Sequence, residues 1–151
     1  MISPKNYRKK EEGFTIIEVV LVLAIAGLIF LVVFLALPAL QRSQRDTQRR
    51  NDASRFASQV TQFQSNNSGK LPSTELTASG ISTFLTQYLS AAGDTFNDPA
   101  TGSPYVGVAS TPTTRGQFWY QTGHDCGTGA GGRSWRVEFA LEGGGTYCVG
   151  S

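Results

Sequence analysis

The sequence is poor in the residues that most catalytic and metal centres use. It has one histidine, His124, two cysteines and one methionine among 151 residues. His124 stands beside Asp125 and Cys126, but three adjacent residues do not converge as a catalytic triad, and no serine elbow or metal-ligand spacing accompanies them. The glycine-rich segment 127–132 lacks the lysine of a phosphate-binding loop. The sequence therefore predicts that the protein is not an enzyme and has no cofactor.

An excess of charge of either sign is also missing. The formal net charge is +2, from 13 basic and 11 acidic side chains. Four of the basic residues and two of the acidic ones precede Phe14, so removal of that segment would leave nine of each. Net charge thus gives no reason to expect a nucleic acid or another acidic partner.

Hydrophobic residues are concentrated in one long run. Residues 14–37 are apolar except for a few small or polar side chains and a single carboxylate, Glu18. A helix of about 20 apolar residues spans a bilayer, so this run predicts one membrane-spanning helix. Residues 37–41 do not provide the small side chains at which a secretory signal is cut. Four Lys or Arg residues stand close to each end of the run, so the positive-inside rule does not orient it.

The start of the run carries a specific motif. The stretch Lys9-Lys10-Glu11-Glu12-Gly13-Phe14-Thr15-Ile16-Ile17-Glu18 resembles the leader and processing site of type IV pilins and pseudopilins. In that family a short basic leader ends in glycine, and Phe-Thr-Leu, an apolar residue and glutamate follow; here two isoleucines occupy the apolar positions. The resemblance implies that a prepilin peptidase cuts between Gly13 and Phe14 and that the new amine of Phe14 is N-methylated.

Glu18 is the residue of this run that most needs an explanation. A charged group in hydrocarbon costs on the order of 3 kcal/mol. The implied cleavage would create a cation at Phe14, four residues earlier, and a neighbouring subunit could bring its own amine to the same carboxylate. Because a buried charge is tolerated when it is paired, Glu18 is predicted to favour docking and to set the register of a filament. The alternative is a carboxylate that merely reaches the headgroup layer.

Two residues weaken the hydrogen bonding of the apolar helix. They are Gly27 and Pro38, and the proline removes one backbone bond outright. Filaments of the resembled family often have a loosened helical section here, so both residues are candidates to delimit it. Equally, both are tolerated in membrane helices without any mechanical role.

The helix is predicted to continue beyond the membrane to about residue 66. Residues 41–52 are polar on all sides and predict a solvated neck. Apolar residues then recur at helical spacing, which predicts one face packed on a head; they are Ala53, Phe56, Ala57, Val60 and Phe63. The neck arginines are expected to contact lipid headgroups and to pair between subunits with Asp46 and Asp52, and DNA binding is the less favoured alternative.

The remaining residues predict a small α+β head. Residues 76–92 have the spacing of a short amphipathic helix, and about four antiparallel strands are expected at 105–110, 117–121, 135–141 and 146–149. Asp94 and Asp98 offer oxygen ligands near a Pro/Gly turn that resembles one in some major pseudopilins, where calcium is bound, but they lack EF-hand spacing and a plain turn is favoured.

The two cysteines, Cys126 and Cys148, are expected to form a disulfide bond. An even pair in a chain that crosses a membrane points to an oxidising compartment. The alternative is two buried free thiols. The resemblance adds that pilins close their C-terminal region with such a bond.

The predicted fold class is thus α+β and pilin-like, with a long N-terminal helix packed on a small antiparallel sheet. The expected divisions are a cytoplasmic leader that is cleaved off (1–13), a transmembrane and filament-core helix (14–40), a helical neck with the head-packing helix (41–70) and a globular head with a disulfide-closed loop (71–151). The resemblance implies a subunit of a type IV pilus that resides in the inner membrane before assembly and in an extracellular fibre afterwards. Its partners would be copies of itself, the peptidase, the assembly platform, motor ATPases and lipid. The alternatives are a pseudopilin of a secretion or competence system and a single-pass membrane protein that does not polymerise.

Overall fold

The computed structural model describes residues 13–74, 81–90, 95–127, 129 and 131–151. The first helix, α1, runs from Ile16 to Asn66. A four-residue helix, α2 (Ile81–Phe84), continues directly into a π-helical turn, Leu85–Leu89. Four strands follow, namely β1 (Val106–Gly107), β2 (Gln117–Thr122), β3 (Trp135–Ala140) and β4 (Thr146–Gly150). This confirms the predicted α+β, pilin-like class.

The chain divides into two compact units, Met1–Ala39 and Leu40–Ser151. The described part of the first unit is the apolar start of α1, and its large hydrophobic side chains are exposed. By length and composition, α1 contains a segment able to cross a membrane. Exposed apolar side chains on every face of a helix are stable only against lipid or other protein surfaces.

The second unit holds the hydrophobic core. The strands form one sheet in the order β1-β2-β3-β4. Its inner face packs against α1, where Ala53, Phe56 and Val60 are buried as the apolar spacing predicts. The ring of Phe56 lies at the centre of this core and contacts five other aromatic rings. These are Phe84, Phe96, Phe118, Tyr120 and Phe139.

One strand differs from the prediction. The strand expected at 105–110 is reduced to β1, and it pairs with β2 in parallel, Val106 opposite Gln117. β2 pairs with β3, and β3 with β4, in antiparallel fashion. A tight hairpin joins only antiparallel strands, so the link 108–116 leaves the sheet and returns to the same end of it before β2 begins.

The amphipathic helix expected at 76–92 is shorter in the described residues. Helical structure covers residues 81–89, and Ile81, Phe84 and Leu89 are buried as its spacing predicts. Residues 75–80 and 91–94 lie outside the described ranges.

Candidate functional site

The N-terminal end of α1 is closed by a capping box. Thr15 precedes the first helical residue, and its backbone N–H and its hydroxyl donate to Glu18 Oε2 at 3.2 and 3.0 Å. The backbone N–H of Glu18 lies 3.4 Å from Thr15 Oγ1 and donates to it. This is the reciprocal pattern of a Thr-x-x-Glu capping box, which satisfies free N–H groups at a helix start. In the uncut chain, Glu18 therefore already has local partners.

Gly13 and Phe14 lie immediately before this cap. Neither belongs to regular secondary structure, and the Phe14 side chain is 86% exposed. A Cβ atom added at Gly13 would meet nothing within 4 Å. The fold of this chain therefore places no steric demand for glycine at position 13, and the peptide bond that follows is accessible. The leader residues before Gly13 lie outside the described ranges.

The two candidate helix-loosening residues lie inside a continuous helix. Pro38 is within α1, and a Cβ atom at Gly27 would meet nothing within 4 Å beyond its chain neighbours and the nearby helix backbone. Contacts within one chain therefore do not require glycine at position 27. Loosening of α1 between these residues in a filament stays a prediction.

The neck is not solvated on all sides, which corrects one prediction. Arg49 is 0% exposed. Its Nε donates to Asp98 Oδ1 at 2.7 Å and its Nη1 donates to Asp46 Oδ1 at 2.8 Å. Asp98 is itself 1% exposed, so this guanidinium and this carboxylate form a buried ion pair. The neck arginines at 45 and 49 thus pair within their own chain.

Asp46 also fastens the neck to the turn between β3 and β4. Its Oδ1 accepts the backbone N–H of Glu142 at 2.7 Å, and its Oδ2 accepts that of Gly143 at 3.0 Å. Glu142 in turn receives a bidentate contact from Arg45, with both distances at 2.7 Å. Paired N–H···O bonds of this kind fix orientation as well as adding energy.

Asp52, the other acidic residue of the neck, also accepts a hydrogen bond from its own chain. The hydroxyl of Tyr105 donates to Asp52 Oδ2 at 2.9 Å. Burial, together with the nearby charge of Asp52, raises the pKa of Tyr105 far above its ordinary value. Tyr105 therefore stays a neutral donor at all physiological pH values, and this bond ties the turn before β1 to α1.

The acidic groups of the neck predict a loss of stability in acid. Partial burial raises the pKa of Asp46. The backbone N–H groups of Glu142 and Gly143 and the Arg49 guanidinium together lower this pKa by more, so the net shift is downward. Bonding to Arg45 likewise lowers the pKa of Glu142. A depressed folded-state pKa gives stabilisation that is present above the unfolded value near 4 and lost as pH falls through the folded value.

We therefore expect the urea concentration at the unfolding midpoint of the head to decrease as the pH is lowered from about 6 to about 3, as linkage requires. Asp46→Asn should lower the midpoint at the higher pH and reduce its change with pH. An unchanged pH profile in that variant would contradict the assignment.

The predicted disulfide bond is present. Cys126 and Cys148 are joined, with their Cα atoms 5.8 Å apart and a sequence separation of 22. The bond ties the loop between β2 and β3 to the last strand. Within that loop, Asp125 Oδ1 accepts the backbone N–H groups of Gly127 and Gly129 at 2.8 and 3.1 Å.

Removal of this bond should destabilise the head. We expect Cys126→Ala/Cys148→Ala to lower the free energy of unfolding by about 2–4 kcal/mol, because a closed loop restricts the unfolded chain. Urea denaturation with and without reductant measures the effect. Reductant should destabilise the parent chain to a similar extent and leave the double variant unchanged.

The described part of the chain contains no group of three or more His, Cys, Asp or Glu side chains placed to hold a metal ion. Asp94 lies outside the described residues. Asp98 uses Oδ1 for Arg49 and Oδ2 for the N–H groups of Ala100 and Thr101, each at 3.2 Å. Its carboxylate therefore closes a turn in this structure, and calcium binding there stays the less favoured alternative.

The roles of two residues of the site were not predicted from the sequence. Thr15 could have been found, because Thr-x-x-Glu before an apolar run is the signature of a capping box. Arg49 had no comparable signal, because its partner Asp98 lies far away in the chain and the neck is polar on every face.

Comparison with known families supports the motif. Residues 8–34 match the family model described as the prokaryotic N-terminal methylation motif. No curated protein and no solved structure matches the chain. The chain therefore carries the type IV pilin and pseudopilin signal motif ahead of a pilin-like α+β fold.

These findings support a type IV pilin-like or pseudopilin protein. Proteins with this motif are structural rather than enzymatic. The motif implies processing by a prepilin peptidase and assembly into a filament, and the apolar helix fits membrane anchoring before assembly.

Proposed function

We propose that this protein is the structural subunit of a type IV pilus, serving adhesion, motility or DNA uptake. The observation that carries the proposal is the exposed apolar start of α1, which lies within residues 8–34, the part of the chain that matches the N-terminal methylation motif. Such a surface needs lipid before assembly and neighbouring helices afterwards. Cleavage falls between Gly13 and Phe14, and methylation falls on the amine of Phe14.

The surroundings of Gly13 support the cleavage position. Glycine is not required there by the fold, since a Cβ atom would meet open space. A narrow protease cleft gives glycine a reason that the folded chain does not supply. The same segment lies outside the helix, so it can lie extended in such a cleft.

The capping box gives Glu18 two successive roles in this proposal. Before cleavage, Thr15 donates to its carboxylate and lowers the cost of inserting it near the headgroups. After cleavage, the amine of Phe14 supplies a cation, and a neighbour shifted along the filament axis can bring its own amine to Glu18. Pairing then favours the docked subunit.

Intact mass and N-terminal sequencing of the protein from its native membrane and from sheared surface fibres test the proposal. The expected chain starts at Phe14, is about 14 Da heavier from a methyl group and about 2 Da lighter from the disulfide bond. Recovery in sheared fibres favours the pilus. Recovery of the processed chain in the membrane fraction alone favours the pseudopilin alternative, and a chain that still starts at Met1 favours the membrane protein that does not polymerise.

A further inference from the structure

An open groove lies between the segment that follows α1 and the turn that precedes β3. Two adjoining cavities form it, with volumes of about 540 and 460 Å³, and both are lined by Gly69 and Arg133. Lys70 lines the larger one. Binding sites for small ligands occupy roughly 300–1,000 Å³, so each cavity is large enough for one. The groove wall carries two cations and no carboxylate among the described residues.

The two cations of the groove have no partner within the described chain, whereas the carboxylates of the head do. No ion pair joins Lys70 or Arg133 to a described residue. The described acidic residues of the neck and head all accept contacts from their own chain. They are Asp46, Asp52, Asp98, Asp125, Glu138 and Glu142. Two side chains without an ion pair to the described residues, Lys70 and Arg133, thus line the same concave surface.

The groove also borders the end of the sheet. Thr122 lines the larger cavity and is the cross-strand partner of Trp135. Trp135 is 3% exposed, and its indole Nε1 has no hydrogen-bond partner in the described residues. Trp135 is not itself a lining residue, since its ring packs in the core with its centroid 6.4 Å from that of Tyr120. Trp135 also provides a fluorophore next to the groove.

We propose that this groove binds an acidic polysaccharide, with Lys70 and Arg133 contacting its carboxylates. The lining offers hydroxyl groups, from Ser65, Ser68 and Thr74 among others, which suit a chain rich in hydroxyls. Nucleic acid fits less well, because its tight binding needs many phosphate contacts or aromatic rings for base stacking. Among the described residues, the lining contains two cations and no aromatic ring.

The test is titration of the full chain in detergent micelles with a defined oligogalacturonate, followed by tryptophan fluorescence and calorimetry. We expect saturable binding that weakens with salt, and a loss of affinity of about tenfold in Arg133→Gln and in Lys70→Gln. Arg42→Gln is the matched control. Arg42 is an exposed arginine with no ion pair to the described residues, and its replacement removes the same charge. Its affinity should stay within about twofold of the parent chain.

Several outcomes would overturn the proposal. Equal losses in Arg42→Gln and Arg133→Gln would indicate diffuse electrostatic attraction. Tighter binding of a single-stranded oligonucleotide of matched length would assign the groove to nucleic acid. Equal binding of a neutral maltooligosaccharide, or no binding at all, would exclude an acidic glycan. A lowered melting temperature with unchanged affinity would mean that the two cations only compensate the C-terminal dipole of α1. Because the monomer is used, none of these outcomes depends on filament assembly.

Discussion

Replacement of Arg49 with methionine is expected to lower the free energy of unfolding of the head by about 3–5 kcal/mol. The guanidinium is fully buried and neutralises Asp98, which is 1% exposed. Methionine leaves that carboxylate buried without its cation and removes the donor to Asp46. A small domain is stable by about 5–15 kcal/mol in total, so the variant should be marginally folded.

Urea denaturation of the full chain in detergent, followed by tryptophan fluorescence, measures this effect. Trp119 and Trp135 are the two tryptophans, and both lie in the strands of the head. Arg42→Met, at an exposed position of α1, is the matched control and should change stability by less than about 0.5 kcal/mol. Arg49→Lys should recover only part of the loss, because one ammonium does not reproduce the separate contacts to two carboxylates. Equal stability of Arg49→Met and Arg42→Met would contradict a stabilising role for the buried pair.

Replacement of Glu18 with alanine is expected to abolish filament assembly while leaving insertion into the membrane intact. In the proposed filament the variant leaves the methylated amine of Phe14 buried without an anion. Breaking a buried pair costs about 3–5 kcal/mol, which lowers the docking equilibrium on the order of a hundredfold or more for each contact. Shearing and quantification of surface fibres, with membrane fractionation of the monomer, measure both consequences.

Thr15→Val is the control that separates the two roles of Glu18. It removes the hydroxyl that donates to the carboxylate at 3.0 Å but keeps the charge. Loss of a helix cap costs about 1 kcal/mol, so filaments should persist at reduced yield. Normal fibres in Glu18→Ala would contradict pairing between subunits, and complete loss of fibres in Thr15→Val would show that local capping rather than pairing explains the carboxylate.

Features that depend on local sequence were predicted well. The span of α1, its buried face at Ala53, Phe56 and Val60, and the approximate positions of β2, β3 and β4 follow from periodicity. Side chains repeat every 3.6 residues in a helix and every second residue in a strand, so these patterns are visible in a single sequence. The cleavage motif is local as well, and it lies within residues 8–34, which the family model matches.

Features that depend on distant residues were not predicted. The neck looked solvated because its own residues are polar, yet Asp98 and the turn at 141–145 pack against it and bury Arg49. The parallel pairing of β1 was missed for a related reason. The direction of an edge strand depends on the path of the link 108–116, and no side-chain pattern within β1 records that path.

The sequence by itself determined the apolar helix, its processing motif, the single carboxylate within it and the α+β class, because each of these is encoded in neighbouring residues. Only the tertiary structure decided which neck residues are buried, how β1 pairs, and that Lys70 and Arg133 share one groove. The physical reason is that burial and charge pairing arise between segments far apart in the chain. Desolvation of a group such as Arg49 depends on everything that packs around it, and a linear pattern does not contain that information.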